Sequence, residues 1–160
     1  MHCEMTARKD GRNADAEHAG GEFHWAFRAD AGAVREALGR VVAWFSCQMS
    51  EDEAGTLELA LAEVLNNVVE HGYAGLDPGP VNLCISRGPD GLSCRISDRG
   101  NPMPGLKLPD GKMQPVADEI EDLAEGGWGW AMIRELTQDL TYQRSDQSNC
   151  VSFRLPITPN

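Results

Sequence analysis

Hydrophobic and polar positions alternate with two distinct periods along this chain, and the switches between them outline its elements. Phe23, Trp25 and Phe27 alternate with His24 and Ala26, the period of a strand with one buried face. From Ala31 to Gln48 the period changes, with Val34, Leu38, Val41, Val42 and Phe45 at helical spacing. Ser50 followed by Glu53 reads as a capping box opening a second helix to about Glu70, whose apolar face is Leu57, Leu61, Val64, Leu65 and Val68 and which Gly72 ends. After turn residues from Gly75 to Pro80, the alternations Val81, Leu83, Ile85 and Leu92, Cys94, Ile96 flank ProAspGly at 89–91 and predict an antiparallel hairpin.

The segment from Asp98 to Gly126 is rich in proline and glycine and then acidic, too irregular for a core element, and a loop of this length is usually functional. Beyond it Trp130, Ile133, Leu136 and Leu140 outline a third helix. Leu140 to Gln143 and Val151 to Leu155 predict a closing hairpin that turns near Asp146 to Asn149. The fold class expected is α+β: a two-layer α/β sandwich of about five strands in a mixed, mostly antiparallel sheet with three helices on one face. The other face is left as a partner surface. Residues 1–21 have no apolar period and are expected to be a disordered tail, leaving 22–160 as a single domain.

Composition narrows the partners. The net charge is -11, with 25 acidic and 14 basic residues, and no basic stripe is present to neutralise a nucleic acid backbone. An acidic protein that binds a polyphosphate needs a metal ion, backbone N–H groups and a few local cations, so magnesium is implied. The five cysteines are scattered without a close pair and read as reduced thiols in a cytoplasmic protein. His2 and Cys3 are incidental rather than a metal site. Apolar runs are broken before the ~18 residues a membrane span needs, and the first residues are not signal-like.

Three short stretches carry candidate chemistry. Glu63, Asn67 and His71 recur every four residues, which on an α-helix displaces each by about 40° and about 6 Å and points all three to one side. An amide oxygen that holds magnesium on a triphosphate, one turn from a carboxylate facing an attacking hydroxyl, suits phosphoryl transfer; a solvated helix face has the same pattern. Ile96 to Gly100 ends a strand on Asp98, whose carboxylate can accept from the exocyclic amine of adenine, although an ordinary strand-end turn reads alike. Glu125 to Trp130 places Gly126, Gly127 and Gly129 at a helix start, where free N–H groups meet phosphate, or where a simple hinge sits.

Taken together, these stretches resemble the motifs of the GHKL (Bergerat-fold) ATPase superfamily, most closely the RsbW-like anti-sigma factor serine kinases of bacteria. Ala62 to Tyr73 looks like the N box, Asp98 to Gly100 the G1 box, and Gly127 to Gly129 with Ile133, Leu136 and Asp139 the G2 box, within a resemblance covering about residues 22–156. The resemblance implies ATP and Mg2+ as cofactors, Asn67 as the magnesium ligand, Glu63 as general base, Asp98 as adenine reader, and Gly127 and Gly129 as hinge of an ATP lid. Asn66, His71, Gly100, Gly126 and Trp128 would border the nucleotide, and Lys107 and Lys112 would meet its terminal phosphates. Pro102 departs from the family by replacing a second glycine after Asp98, which removes a donor and stiffens the loop.

The function implied is a serine/threonine protein kinase that phosphorylates a STAS-domain antagonist and otherwise sequesters a sigma factor or another regulator. A homodimer is consistent with it. The alternative is a non-catalytic ATP-binding module that only holds its partner, and Glu63 favours the kinase. A sensor histidine kinase is not expected, because the short polar tail offers no dimerisation helix with a phosphorylatable histidine.

Overall fold

The computed structural model describes residues 21–110 and 127–158, the side chain of Trp128 excepted. Strand β1 (Glu22–Arg28) leads to helices α1 (Ala31–Phe45) and α2 (Glu51–Asn67), followed by strands β2 (Pro80–Gly88) and β3 (Gly91–Asp98), helix α3 (Gly127–Leu136), and strands β4 (Gln138–Ser145) and β5 (Ser148–Leu155). The strands form one sheet in the order β1-β2-β3-β5-β4. Every pairing is antiparallel, so the sheet is simpler than the mixed one expected.

The alternation seen in the sequence places one face of this sheet in the core. Phe23 and Trp25 of β1, Val81, Leu83 and Ile85 of β2, Leu92, Cys94 and Ile96 of β3, and Val151, Phe153 and Leu155 of β5 are all buried. Val34, Ala37, Val41 and Phe45 of α1 and Leu57, Leu61, Val64 and Leu65 of α2 supply the opposing layer. Asp30 caps α1 by accepting from the Ala33 N–H at 3.0 Å. The capping box of α2 forms in both directions: the Glu53 N–H donates to Ser50 Oγ at 3.2 Å, and the Ser50 N–H donates to Glu53 Oε2 at 2.8 Å. Such a cap contributes about 1 kcal/mol.

Four boundaries differ from those the pattern predicts. Helix α1 stops at Phe45 rather than Gln48. The α-helical turns of α2 end at Asn67, and the chain continues through one π-helical turn, Val68–Gly72, closed by the Tyr73 N–H to the Val68 carbonyl at 3.0 Å. Leu140 belongs to β4 and not to the third helix, because the Thr137 hydroxyl folds back onto the Ile133 carbonyl at 2.6 Å and a bulge follows between Gln138 and Thr141, with Asp139 at φ 54°. The last hairpin turns on Asp146 and Gln147 alone, both at positive φ as a two-residue turn of this hand requires, so Asn149 lies within β5. Among the described residues no helix is long and apolar enough to cross a membrane.

Candidate functional site

A cleft of about 590 Å³ opens between the end of α2, the turn after β3 and the start of α3. Asn67, His71 and Asp98 line it, together with Asn101, Pro102 and Trp130. The π-helical turn that ends α2 brings Gly72 against the β3 exit, where the Asn101 N–H donates to the Gly72 carbonyl at 2.6 Å. Two stretches nearly thirty residues apart are thereby joined through their backbones, and the Asn101 side-chain amide donates to the Ala74 carbonyl at 3.0 Å beside that bond.

Asp98 is the chemical centre of this cleft and is only 5% exposed. Its Oδ1 accepts from the Gly100 N–H at 2.8 Å and from Asn149 Nδ2 at 2.9 Å. Both bonds fall on the same oxygen, and Oδ2 has no partner among the described residues. Burial pushes the Asp98 carboxyl above its ordinary range, against the opposing pull of the two hydrogen bonds and of the Arg144 charge. A buried acceptor with one oxygen committed and one free on a cleft wall fits a neutral donor such as an exocyclic amine.

A network built from β4 and β5 holds that carboxylate. The Asn149 amide, 4% exposed, donates also to the Asn101 carbonyl at 2.9 Å. Its oxygen accepts from Arg144 Nη1 at 2.7 Å and from the Tyr142 hydroxyl at 2.6 Å. Arg144 reaches the Gly100 carbonyl at 3.0 Å, and the Met103 N–H donates to Tyr142 Oη at 3.0 Å. Pro102, whose lack of an N–H seemed a defect, therefore sits between two residues whose N–H groups are both engaged. Tyr73 completes the frame: its hydroxyl donates to the Pro80 carbonyl at 2.7 Å and accepts from the Arg99 N–H at 3.0 Å, and burial pushes the phenol up.

None of Asn149, Arg144, Tyr142 and Tyr73 is singled out as a supporting group by the sequence reading. The signal for Asn149 was nonetheless present. Val151, Phe153 and Leu155 point inward, so one more step of two puts a polar residue at an inward position.

The α2 side of the cleft is arranged differently. Asn67 and His71 face the cleft with no side-chain hydrogen bond among the described residues. Glu63 does not line the cleft, and its carboxylate lies against Gly129 in the first turn of α3, where only the absence of a side chain leaves room. Asn66 and Lys107 are exposed and stand outside the lining, and Gly100 is buried just behind it. Gly127 and Trp128 belong to the first turn of α3. Lys112 and Gly126 lie outside the described residues.

The two-layer antiparallel sandwich, with a buried carboxylate at a strand end and an amide on the facing helix around one cleft, is the architecture of a class of nucleotide-binding domain. Residues 27–155 match the histidine kinase-like ATPase domain, and the chain belongs to that family. It is 31% identical over 107 residues to the serine/threonine-protein kinase BtrW of Bordetella bronchiseptica, a match covering 65% of this chain and 71% of that protein. It is also 31% identical over 98 residues to the serine-protein kinase RsbW of Oceanobacillus iheyensis, covering 60% of this chain and 59% of the relative. Among solved structures, the RsbU and RsbW domains of a Mycobacterium tuberculosis protein superpose with a TM-score of 0.62 at 18% identity. That match covers 87% of this chain and 33% of the other, and it shows the shared fold.

Proposed function

We propose that residues 22–160 form one ATP-dependent serine/threonine protein kinase domain of a cytoplasmic partner-switching system, which phosphorylates a STAS-type antagonist and otherwise sequesters a sigma factor or another regulator. The observation that carries this reading is the free Oδ2 of buried Asp98 on the wall of a cleft shared with Asn67 and His71. The names of the relatives, both serine kinases, support the kinase assignment.

Each residue then has a role set by its chemistry. Asp98 accepts from the adenine amine and rejects guanine, which has an acceptor there. The amide oxygen of Asn67 is the hard donor that Mg2+ requires, and this side chain lines the cleft with no hydrogen bond among the described residues. Bound magnesium would spread the charge of the triphosphate. Glu63, one turn before Asn67, accepts the proton of the attacking serine hydroxyl once the partner is docked. A chain of net charge -11 suits a basic partner, and a homodimer fits the same reading.

The test is phosphoryl transfer. Purified protein, magnesium ATP and a candidate STAS partner are combined and the partner is weighed by mass spectrometry; a gain of one phosphate is expected. Glu63→Gln lowers the rate by about 10²- to 10⁴-fold with ATP affinity retained. Unchanged transfer in that variant removes the base assignment. No transfer by the wild type, with ATP binding intact, favours a module that only holds its partner.

A further inference from the structure

The face of the sheet turned away from the helices carries a cluster unrelated to the cleft. Residues 22 and 24 of β1 project from it because Phe23 and Trp25 point into the core, and Cys84 of β2 projects from it because Leu83 and Ile85 do the same. His24 and Cys84 are directly opposed in the β1–β2 ladder. Directly opposed residues hold their Cβ atoms about 4.5–5.5 Å apart, so the backbone itself fixes this pair.

The side chains converge on one atom. His24 Nε2 lies 3.1 Å from Glu22 Oε2 and 3.8 Å from Cys84 Sγ. The three ligand atoms all fall within 4.8 Å of one another. A ring nitrogen carries at most one proton, so hydrogen bonding serves both neighbours at once only as a weaker, shared three-centre bond. A metal ion accounts for the whole triangle. Bonds of 2.0–2.3 Å to nitrogen, oxygen and sulfur in a tetrahedron give edges of about 3.3–3.8 Å, close to the 3.1 and 3.8 Å from His24 Nε2 to its two neighbours.

We propose that Glu22, His24 and Cys84 form a three-ligand site for a divalent transition metal of the zinc class, with its fourth position open to water. Thiolate with imidazole selects zinc, cobalt or nickel over magnesium and calcium, so this site and any magnesium held with nucleotide draw on different ions. Three ligands and an open position describe a site that can take a further donor, in contrast to a closed structural site. Bound metal would tie edge strand β1 to β2 through side chains as well as backbone.

Metal-stripped full-length protein titrated with Co2+, without nucleotide, tests the site. The expected result is one equivalent bound with a near-ultraviolet thiolate-to-cobalt charge-transfer band and the intense visible bands of tetrahedral cobalt, displaced by Zn2+ and not by Mg2+. Both signals disappear in Cys84→Ser and in His24→Ala, the latter a half-exposed position where folding is not at stake, and both survive in Cys3→Ser and Cys150→Ser. Zn2+ at about 100 times its Kd raises the Tm by roughly 5–10 °C in the wild type and not in His24→Ala. A spectrum of hydrated octahedral cobalt only, or bands that persist in both ligand variants, overturns the proposal.

Discussion

The two halves of the cleft are built on opposite principles. On the Asp98 side, which the proposed function gives to the base, Asn149, Arg144, Tyr142 and the backbone of Gly100, Asn101 and Met103 bond one another, and Oδ2 of Asp98 has no partner among the described residues. On the α2 side, which the proposed function gives to the triphosphate, the side chains of Asn67 and His71, and of Glu63 outside the lining, make no hydrogen bond among the described residues. A purine ring is rigid and presents fixed edges, so its reader gains from being set in advance. A triphosphate that must be gripped, cut and released is better met by side chains that acquire partners only when the ligand arrives. The locked half stores its order in the fold, and the loose half takes its order from the ligand.

The largest test of the locked half is Asp98→Asn. Asparagine keeps an oxygen for Asn149 and Gly100 and turns an amide N–H₂ toward the cleft, where it opposes the adenine amine. Adenine nucleotide affinity is expected to fall by about 30- to 100-fold by calorimetry. Stability moves the other way. Burial raises the folded-state pKa of Asp98 above the ordinary 3.8, so in the pH window just above that value the native state holds a proton that the unfolded state has lost. Stability therefore declines as pH rises through the window, and at neutral pH the ionised Asp98 is a net cost to the fold. The variant is expected to melt at or above the wild-type temperature at pH 7, with the difference vanishing on acidification through the window. A variant that melts well below wild type and keeps its nucleotide would make Asp98 a structural residue.

Gly100→Ala comes next in size. A Cβ there would meet the carbonyl oxygen and carbon of Gly72, backbone atoms that cannot step aside while the Asn101 N–H holds the same carbonyl at 2.6 Å. Overpacking of this kind costs about 1–3 kcal/mol, which lowers Tm by roughly 3–10 °C in differential scanning calorimetry. Nucleotide affinity should fall with it, since the same contact sets the position of Asp98. An unchanged Tm would show that the base half yields more easily than its hydrogen bonds suggest.

The unequal order of the two halves also explains what the sequence revealed. Period-two runs such as Val81, Leu83, Ile85 and the Ser50–Glu53 box speak through local chemistry, and the strands and caps follow from them directly. That Asp98 and Asn67 share a cleft could be expected because each sits in a short stretch of diagnostic residues. The partners of Asp98 are not legible in this way, because Asn149 and Arg144 lie about fifty residues away and reach it only after β5 pairs with β3, Asp98 opposite Asn149. Asparagine is common in turns, and at Asn149 the inward step of the strand outweighs that preference. The π-helical turn at 68–72 was equally hidden, since its winding is dictated by the docking of Gly72 on the β3 exit and not by any residue within it.

The smallest effect, and the sharpest on the comparison, is expected at Gly129. Its Cβ would also meet an occupied space, but the occupant is the carboxylate of Glu63, the far end of a flexible side chain that can swing to another rotamer. Alanine in place of glycine within a helix contributes up to about 1 kcal/mol in the opposite sense. Gly129→Ala is therefore expected to melt within about 3 °C of wild type. The displaced Glu63 should lower phosphoryl transfer by about 10-fold with nucleotide affinity unchanged, because a base moved by an ångström loses its line to the hydroxyl. Paired with Gly100→Ala, the experiment sets a backbone collision on the locked side against a side-chain collision on the loose side. Equal losses of stability would erase the distinction between the halves, since the α2–α3 contact would then be as unyielding as the frame around Asp98.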